Sequence, residues 1–207
     1  MAKVLVHEAL HSMKYDMDII KQKLISDLKK IENKIMRNEG ALNINEAYTE
    51  LCATFIMCLF KAKKNMSKSD TKKVLKTQLK KMLIHSFKNC ARIFKKYNIE
   101  DSKSCTLIKN IHSCNYHQEA SAFSYIIIKT ALLWALTTQC RYRNGHKVSD
   151  RLKCLEQFLS IGFAGHIGES YQKVIVEVLS NEKFNKEINK YISKSKGTGN
   201  FFFTIFN

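Results

Sequence analysis

The chain contains no proline and only seven glycines in 207 residues. Proline stops a helix by removing a donor and clashing with the preceding turn, and glycine punctuates it. Their scarcity leaves long helices as the natural reading. Arginine is sparse too: Arg37, Arg92, Arg141, Arg143 and Arg151 are the full complement, so almost all the positive charge is lysine. Lysine suits salt-sensitive phosphate contact that is indifferent to sequence, whereas reading base edges favours arginine. No apolar run is long enough to cross a membrane. The best candidate, 123–138, is interrupted by Lys129 and falls short of the roughly 20 residues a spanning helix needs. Residues 1–8 are too poor in apolar side chains for a signal peptide. The seven cysteines, an odd number at irregular spacing, form no disulfide framework. A reducing, intracellular and cytoplasmic location is expected. No internal repeat or long low-complexity tract is present.

Chemical motifs are also missing. The nucleophile elbow G-x-S-x-G, the Walker loop and the dinucleotide fingerprint G-x-G-x-x-G do not occur. Gly162, Gly165 and Gly168 have two equal gaps and follow no predicted strand. No enzymatic activity and no cofactor is expected. No metal is expected either. Cys105, His112, Cys114 and His117, spaced C-x6-H-x-C-x2-H, are the candidate ligands if one is held, a set zinc accepts but at the spacing of no common zinc module.

Hydrophobic residues make up 45% of the chain and charged ones 26%, a globular composition. Periodicity predicts a first helix over 7–36, with Met13, Met17, Ile20, Leu24, Leu28, Ile31 and Ile35 as one apolar stripe. A second is predicted over 45–63, opened by Asn43 and Glu46 as a capping pair. A third follows over 70–97, with Leu75, Leu79, Met82, Leu83, Cys90, Ile93 and Phe94 on its apolar face. A short helix over 105–112 comes next, then one over 119–139 that is apolar almost all round and belongs at the centre of the core. Residues 141–147 read as a turn around Asn144-Gly145. Further helices are predicted over 150–161, 169–180 and 182–193, with a glycine-punctuated loop at 162–168 between. The expected fold is all-α, a multi-helix bundle of seven or eight helices. It forms either one domain over 1–193 or two packed subdomains, 1–100 and 101–193. Residues 194–207 are a linker and hydrophobic tail.

The positive charge is concentrated in one place. Residues 61–96 carry thirteen Lys and Arg against one acid, Asp70, while the remainder has twenty-two bases and seventeen acids. A concentrated field attracts a polyanion. On a helical wheel Lys73, Lys80, Lys81, Lys88, Arg92, Lys95 and Lys96 fall within an arc of roughly 160° opposite the apolar face. Like charges four residues apart cost helix stability, and phosphates would relieve that repulsion by replacing condensed counterions. Arg141, Arg143 and Lys147, in the turn with Tyr142 and His146, are candidates to grip phosphate or stack on bases. The expected partner is nucleic acid, RNA rather than DNA because no helix-turn-helix is evident and arginines are few. A small basic helical protein that sequesters RNA, of the silencing-suppressor kind made by intracellular viruses, fits this profile, although no motif ties the chain to such a family. The alternative is a helical protein–protein or membrane-surface adaptor, using the amphipathic first helix and the tail Phe201-Phe202-Phe203-Thr204-Ile205-Phe206. That tail is expected to pack on its own domain or on a second subunit of a homo-oligomer, in preference to a foreign protein partner.

Overall fold

The computed structural model of the chain describes residues 2–13, 23–35, 42–63, 68–96, 123–138, 142–143, 146–147 and 167–192. The architecture is an all-α multi-helix bundle with seven helices among the described residues. They are α1 (Ala2–Ser12), α2 (Ser26–Ile35), α3 (Ile44–Lys63), α4 (Lys68–Lys96), a π-helical stretch (Phe123–Ile128) that runs on into α5 (Lys129–Thr138), α6 (Ile167–Leu179) and α7 (Glu182–Asn189). The expected helices over 105–112 and 150–161, most of the glycine loop and the tail lie outside the described residues. Within 141–147 the backbone pairs as two-residue strands, β1 (Tyr142–Arg143) and β2 (His146–Lys147). They run antiparallel, Tyr142 opposite Lys147 and Arg143 opposite His146.

The segment from Phe123 to Thr138 is the centre, as its all-round apolarity predicts. Phe123, Ile127, Ile128, Ala131, Leu132, Leu133 and Ala135 are wholly buried. Helix α3 packs along it, α4 packs on both, and α1 lies on α3. Ala53, Phe55 and Cys58 face inward from α3, whereas Phe60 is exposed. Helix α7 is docked on α4 and α5 by Phe184, whose ring lies 5.8 Å from Phe87 and 6.0 Å from Trp134. Asn181 caps α7 by accepting the Lys183 N–H at 2.9 Å.

Two local departures from the expected helices have identifiable causes. The single first helix over 7–36 is wrong: α1 and α2 are separate, and residues 23–25 are not helical. Gln172 of α6 compensates the break. Its Oε1 accepts the Ile25 N–H at 2.6 Å and its Nε2 donates to the Lys23 carbonyl at 3.1 Å, so one buried amide replaces the helical partners of both backbone groups. Leu28, Ile31 and Ile35 of the predicted stripe are fully buried, but Met13 is exposed. The second departure is the π winding at Phe123–Ile128. The Ile126 carbonyl there accepts the Thr130 hydroxyl and lies 3.7 Å from the Cys90 thiol of α4, so donors from outside the helical ladder serve the widened turn.

The Gln172 clamp sets the first prediction. Gln172→Ala leaves the Ile25 N–H without its acceptor, and urea titration should show a loss of about 1–3 kcal/mol. Gln172→Glu keeps the acceptor but buries a carboxylate whose second oxygen faces the Lys23 carbonyl, so at neutral pH it should cost at least as much, and less as the pH falls and the protonated carboxyl can donate.

Candidate functional site

Two regions of the structure carry concentrated chemistry. The first is the cationic face of α4. Lys73, Lys80, Lys81, Lys88 and Lys96 are exposed and Arg92 and Lys95 half-buried, while Leu75, Leu79, Met82, Leu83, Cys90, Ile93 and Phe94 are buried on the other side. Helix α4 therefore turns its apolar stripe to the bundle and its cations outward. Among the described residues, no carboxylate pairs with Lys73, Lys80, Lys81 or Lys88. Arg92 is held by Asn89, whose Oδ1 accepts from Nη1 at 3.0 Å. From Lys73 to Lys96 the cations extend along roughly 35 Å of helix. Of the other candidates, Arg143 and Lys147 lie on β1 and β2, and Arg141 is outside the described residues, as are Cys105, His112, Cys114 and His117. Among the described residues, β1 and β2 pack mainly on each other, and no extensive contact joins them to α4.

The second region is a buried polar cluster. It is assembled from three helices that each place polar side chains four residues apart, and hence on one face. Helix α1 supplies Lys3, His7 and His11, α3 supplies Glu46 and Glu50, and the central helix supplies Tyr125 and Lys129. Glu50 is buried and bonds to Lys3, while Lys129 Nζ lies 3.3 Å from the same oxygen, Oε1. Glu46 accepts the Tyr125 hydroxyl at 2.6 Å. The His7 and His11 Nε2 atoms are 3.0 Å apart, and Glu46 oxygens lie 3.3 Å from the first and 3.4 Å from the second. The other nitrogen of His7, Nδ1, is 3.3 Å from Glu50 Oε2 but not aligned with it, so this buried nitrogen has no hydrogen bond.

Two ammonium groups cannot both be compensated by one buried carboxylate. Burial, and then the charge on Lys129, push Lys3 down to about 6, and burial pushes Lys129 down to about 8. Both shifts act in one direction, against carrying two ammonium charges beside the single Glu50 carboxylate. Burial and neighbouring His11 also lower His7, which keeps its ring neutral. Burial and the Glu46 bond push Tyr125 upward, so its phenol stays a donor. The described cysteines Cys52, Cys58 and Cys90 are free and buried, and burial pushes each thiol up to about 12, which removes them as nucleophiles at neutral pH.

The cluster is absent from the expectations above, although it leaves a signal in the sequence. Glu46 reads there as a capping residue and Lys129 as an interruption of an apolar run. More pointedly, His7-Glu8-Ala9-Leu10-His11 is an H-E-x-x-H, the helical pattern that sets two imidazoles on one face of a zinc site. The expectation of no enzymatic activity and no metal rested in part on reading this pattern as absent, which residues 7–11 correct. Among the described residues no helix is long and apolar enough to cross a membrane. No protein-family model, curated protein or solved structure matches this chain.

Glu50→Gln leaves two buried amines without a counterion and should cost about 3–5 kcal/mol by urea or thermal unfolding. The pH dependence has a definite sign. Both lysines have folded-state values below the 10.5 of the unfolded chain. Through these two groups the unfolded chain binds more protons than the folded one between about 8 and 10.5, so they raise stability with pH from about 8 upward, until above about 9 the three thiols that the fold holds up to about 12 act in the opposite direction. Lys129→Met should flatten the rise, as measured by unfolding titrations at stepped pH.

Proposed function

We propose that this protein binds nucleic acid, RNA in preference to DNA, through the cationic face of α4, and does so without reading sequence. The supporting observation is that Lys73, Lys80, Lys81 and Lys88 are exposed on one helix and meet no carboxylate among the described residues. An ordinary solvated helix mixes signs, because Glu and Lys four apart stabilise each other. Here Lys76 with Lys80, Lys88 with Arg92, and Arg92 with Lys96 repeat like charge at that spacing. A phosphate chain laid along the face relieves this repulsion and releases its own condensed counterions. Point charges on flexible stems supply affinity and leave base identity unread.

A second reading, docking to a protein or a membrane surface, draws on the exposure of Val4 and Leu5 on α1. It predicts binding that survives neutralisation of α4.

Affinity for single-stranded RNA should fall as salt rises, with a log–log slope near −0.7 per neutralised phosphate. Replacing Lys73, Lys80, Lys81 and Lys88 with Glu should abolish binding while leaving the helical circular dichroism intact. Single replacements should each reduce the slope by about 0.7. Unchanged affinity and slope in the fourfold variant would remove the α4 mechanism. Retention on vesicles in that variant, together with loss of vesicle binding in Val4→Ser/Leu5→Ser, would favour the second reading.

A further inference from the structure

We infer that His7, His11 and Glu46 form a site for a divalent transition metal of the zinc class. The two histidines come from successive turns of α1 and Glu46 from the facing turn of α3, so the site joins two helices. Candidate ligand atoms from the three residues all lie within 4.8 Å of one another. The separations are 3.0 Å between the two Nε2 atoms and 3.3 and 3.4 Å from these to the Glu46 oxygens. Donors bound at 2.0–2.1 Å in a tetrahedral sphere stand about 3.3 Å apart. Glu46 Oε2 faces His7 and Oε1 faces His11, so the two imidazole nitrogens and the carboxylate edge are already gathered near that spacing, and a turn of the carboxylate would bring one oxygen to both. Two imidazoles and one carboxylate suit zinc and its first-row neighbours, whereas calcium and magnesium take oxygen donors.

The surroundings supply what a metal site needs beyond its donors. Ligating His residues usually give their second ring N–H to a carboxylate or carbonyl. His7 Nδ1 is buried, lacks a hydrogen bond and stands 3.3 Å from Glu50 Oε2. Coordination through Nε2 puts the proton on Nδ1, and a small ring rotation then gives it to Glu50. The Tyr125 hydroxyl holds the Glu46 carboxylate at 2.6 Å. His11 is the most exposed of the three, with 27% of its side chain accessible, so an ion can reach the site from that side. Three protein donors leave a fourth position for water. In H-E-x-x-H sites the glutamate after the first histidine takes a proton from that water, and Glu8, exposed on α1, stands at that place in the sequence.

The test uses the full chain without a polyhistidine tag, stripped with chelator and titrated with Co2+ and then Zn2+. One Co2+ per chain should bind with visible ligand-field bands of a low-coordinate site. Zn2+ should displace it, and the thermal midpoint should rise with Zn2+ concentration. His11→Ala, at the accessible edge, should keep the native circular dichroism and lose at least tenfold in Zn2+ affinity. Glu46→Gln should do the same and guards against a folding failure in the first variant. Cys105→Ser/Cys114→Ser should bind as the parent does. No cobalt bands in the parent chain at micromolar metal would overturn the assignment. So would a folded His11→Ala or Glu46→Gln that binds Zn2+ as tightly as the parent, or loss of binding in the double cysteine variant.

Discussion

The buried carboxylate of Glu50 is the constraint around which the N-terminal half of this bundle is arranged. A charge of that kind costs several kcal/mol to remove from water, and only close partners offset it. Lys3 and Lys129 reach it from opposite helices, and His7 stands beside it. This arrangement explains an inversion in α1. The helix turns Lys3 and His7 inward with Leu10 and leaves Val4 and Leu5 exposed. Eleven residues make a marginal helix on their own, and apolar burial alone would have rotated this one the other way. Its polar series also fixes its register on α3. A slip of one turn would move Lys3 away from Glu50 and leave a buried carboxylate against the wrong group.

The same economy accounts for the outward charge. Three of the four acids of α2 and α3 are engaged inside the fold, and the fourth, Asp27, pairs with Lys30 on the surface. Glu32 accepts the Leu42 N–H at 2.7 Å and bonds to Lys29, Glu46 holds Tyr125 and the histidines, and Glu50 holds the lysines. With its neighbours' carboxylates committed, α4 presents its lysines to water uncompensated. The two charge systems obey different rules. Exposed cations interact weakly and are screened over about 8–10 Å by physiological salt, whereas the inner cluster is shielded from salt and sensitive to proton count. Salt and pH are therefore separate handles on the two regions.

The helices legible from sequence were those with a clear phase. In α3 and α4 the apolar residues recur at steps of three and four, and the expected limits differ from the observed ones by one or two residues. Residues 7–36 showed the same recurrence and misled, because the break at 23–25 depends on Gln172, which lies 147 positions further along the chain. No local pattern reports such a partner. The π winding was illegible for a different reason. A segment apolar on every side has no phase to shift, so a changed turn leaves no mark in its sequence. The buried cluster was legible in principle, as Lys3, His7 and His11, then Glu46 and Glu50, then Tyr125 and Lys129. Each residue had an adequate local explanation, and only their convergence on one another shows what they do together.

That convergence also links the two candidate sites through the central helix. Tyr125, which holds Glu46, lies inside the π stretch, and Lys129, which holds Glu50, is the first residue after it. Between them the Ile126 carbonyl takes the Thr130 hydroxyl, and the Cys90 thiol of α4 approaches both, 3.3 Å from Thr130 Oγ1. The winding that sets Tyr125 and Lys129 against the carboxylates of α3 is thus in direct contact with the inner face of the cationic helix. π-Helical turns concentrate at functional sites because they re-aim side chains at some cost in helix stability. Here the re-aimed pair serves the polar cluster, and its neighbour Cys90 belongs to the helix that carries the outward charge. A shift of the π turn would therefore move the cluster's tyrosine and lysine and press on α4 at the same time, so the inner and outer charge systems share one mechanical support.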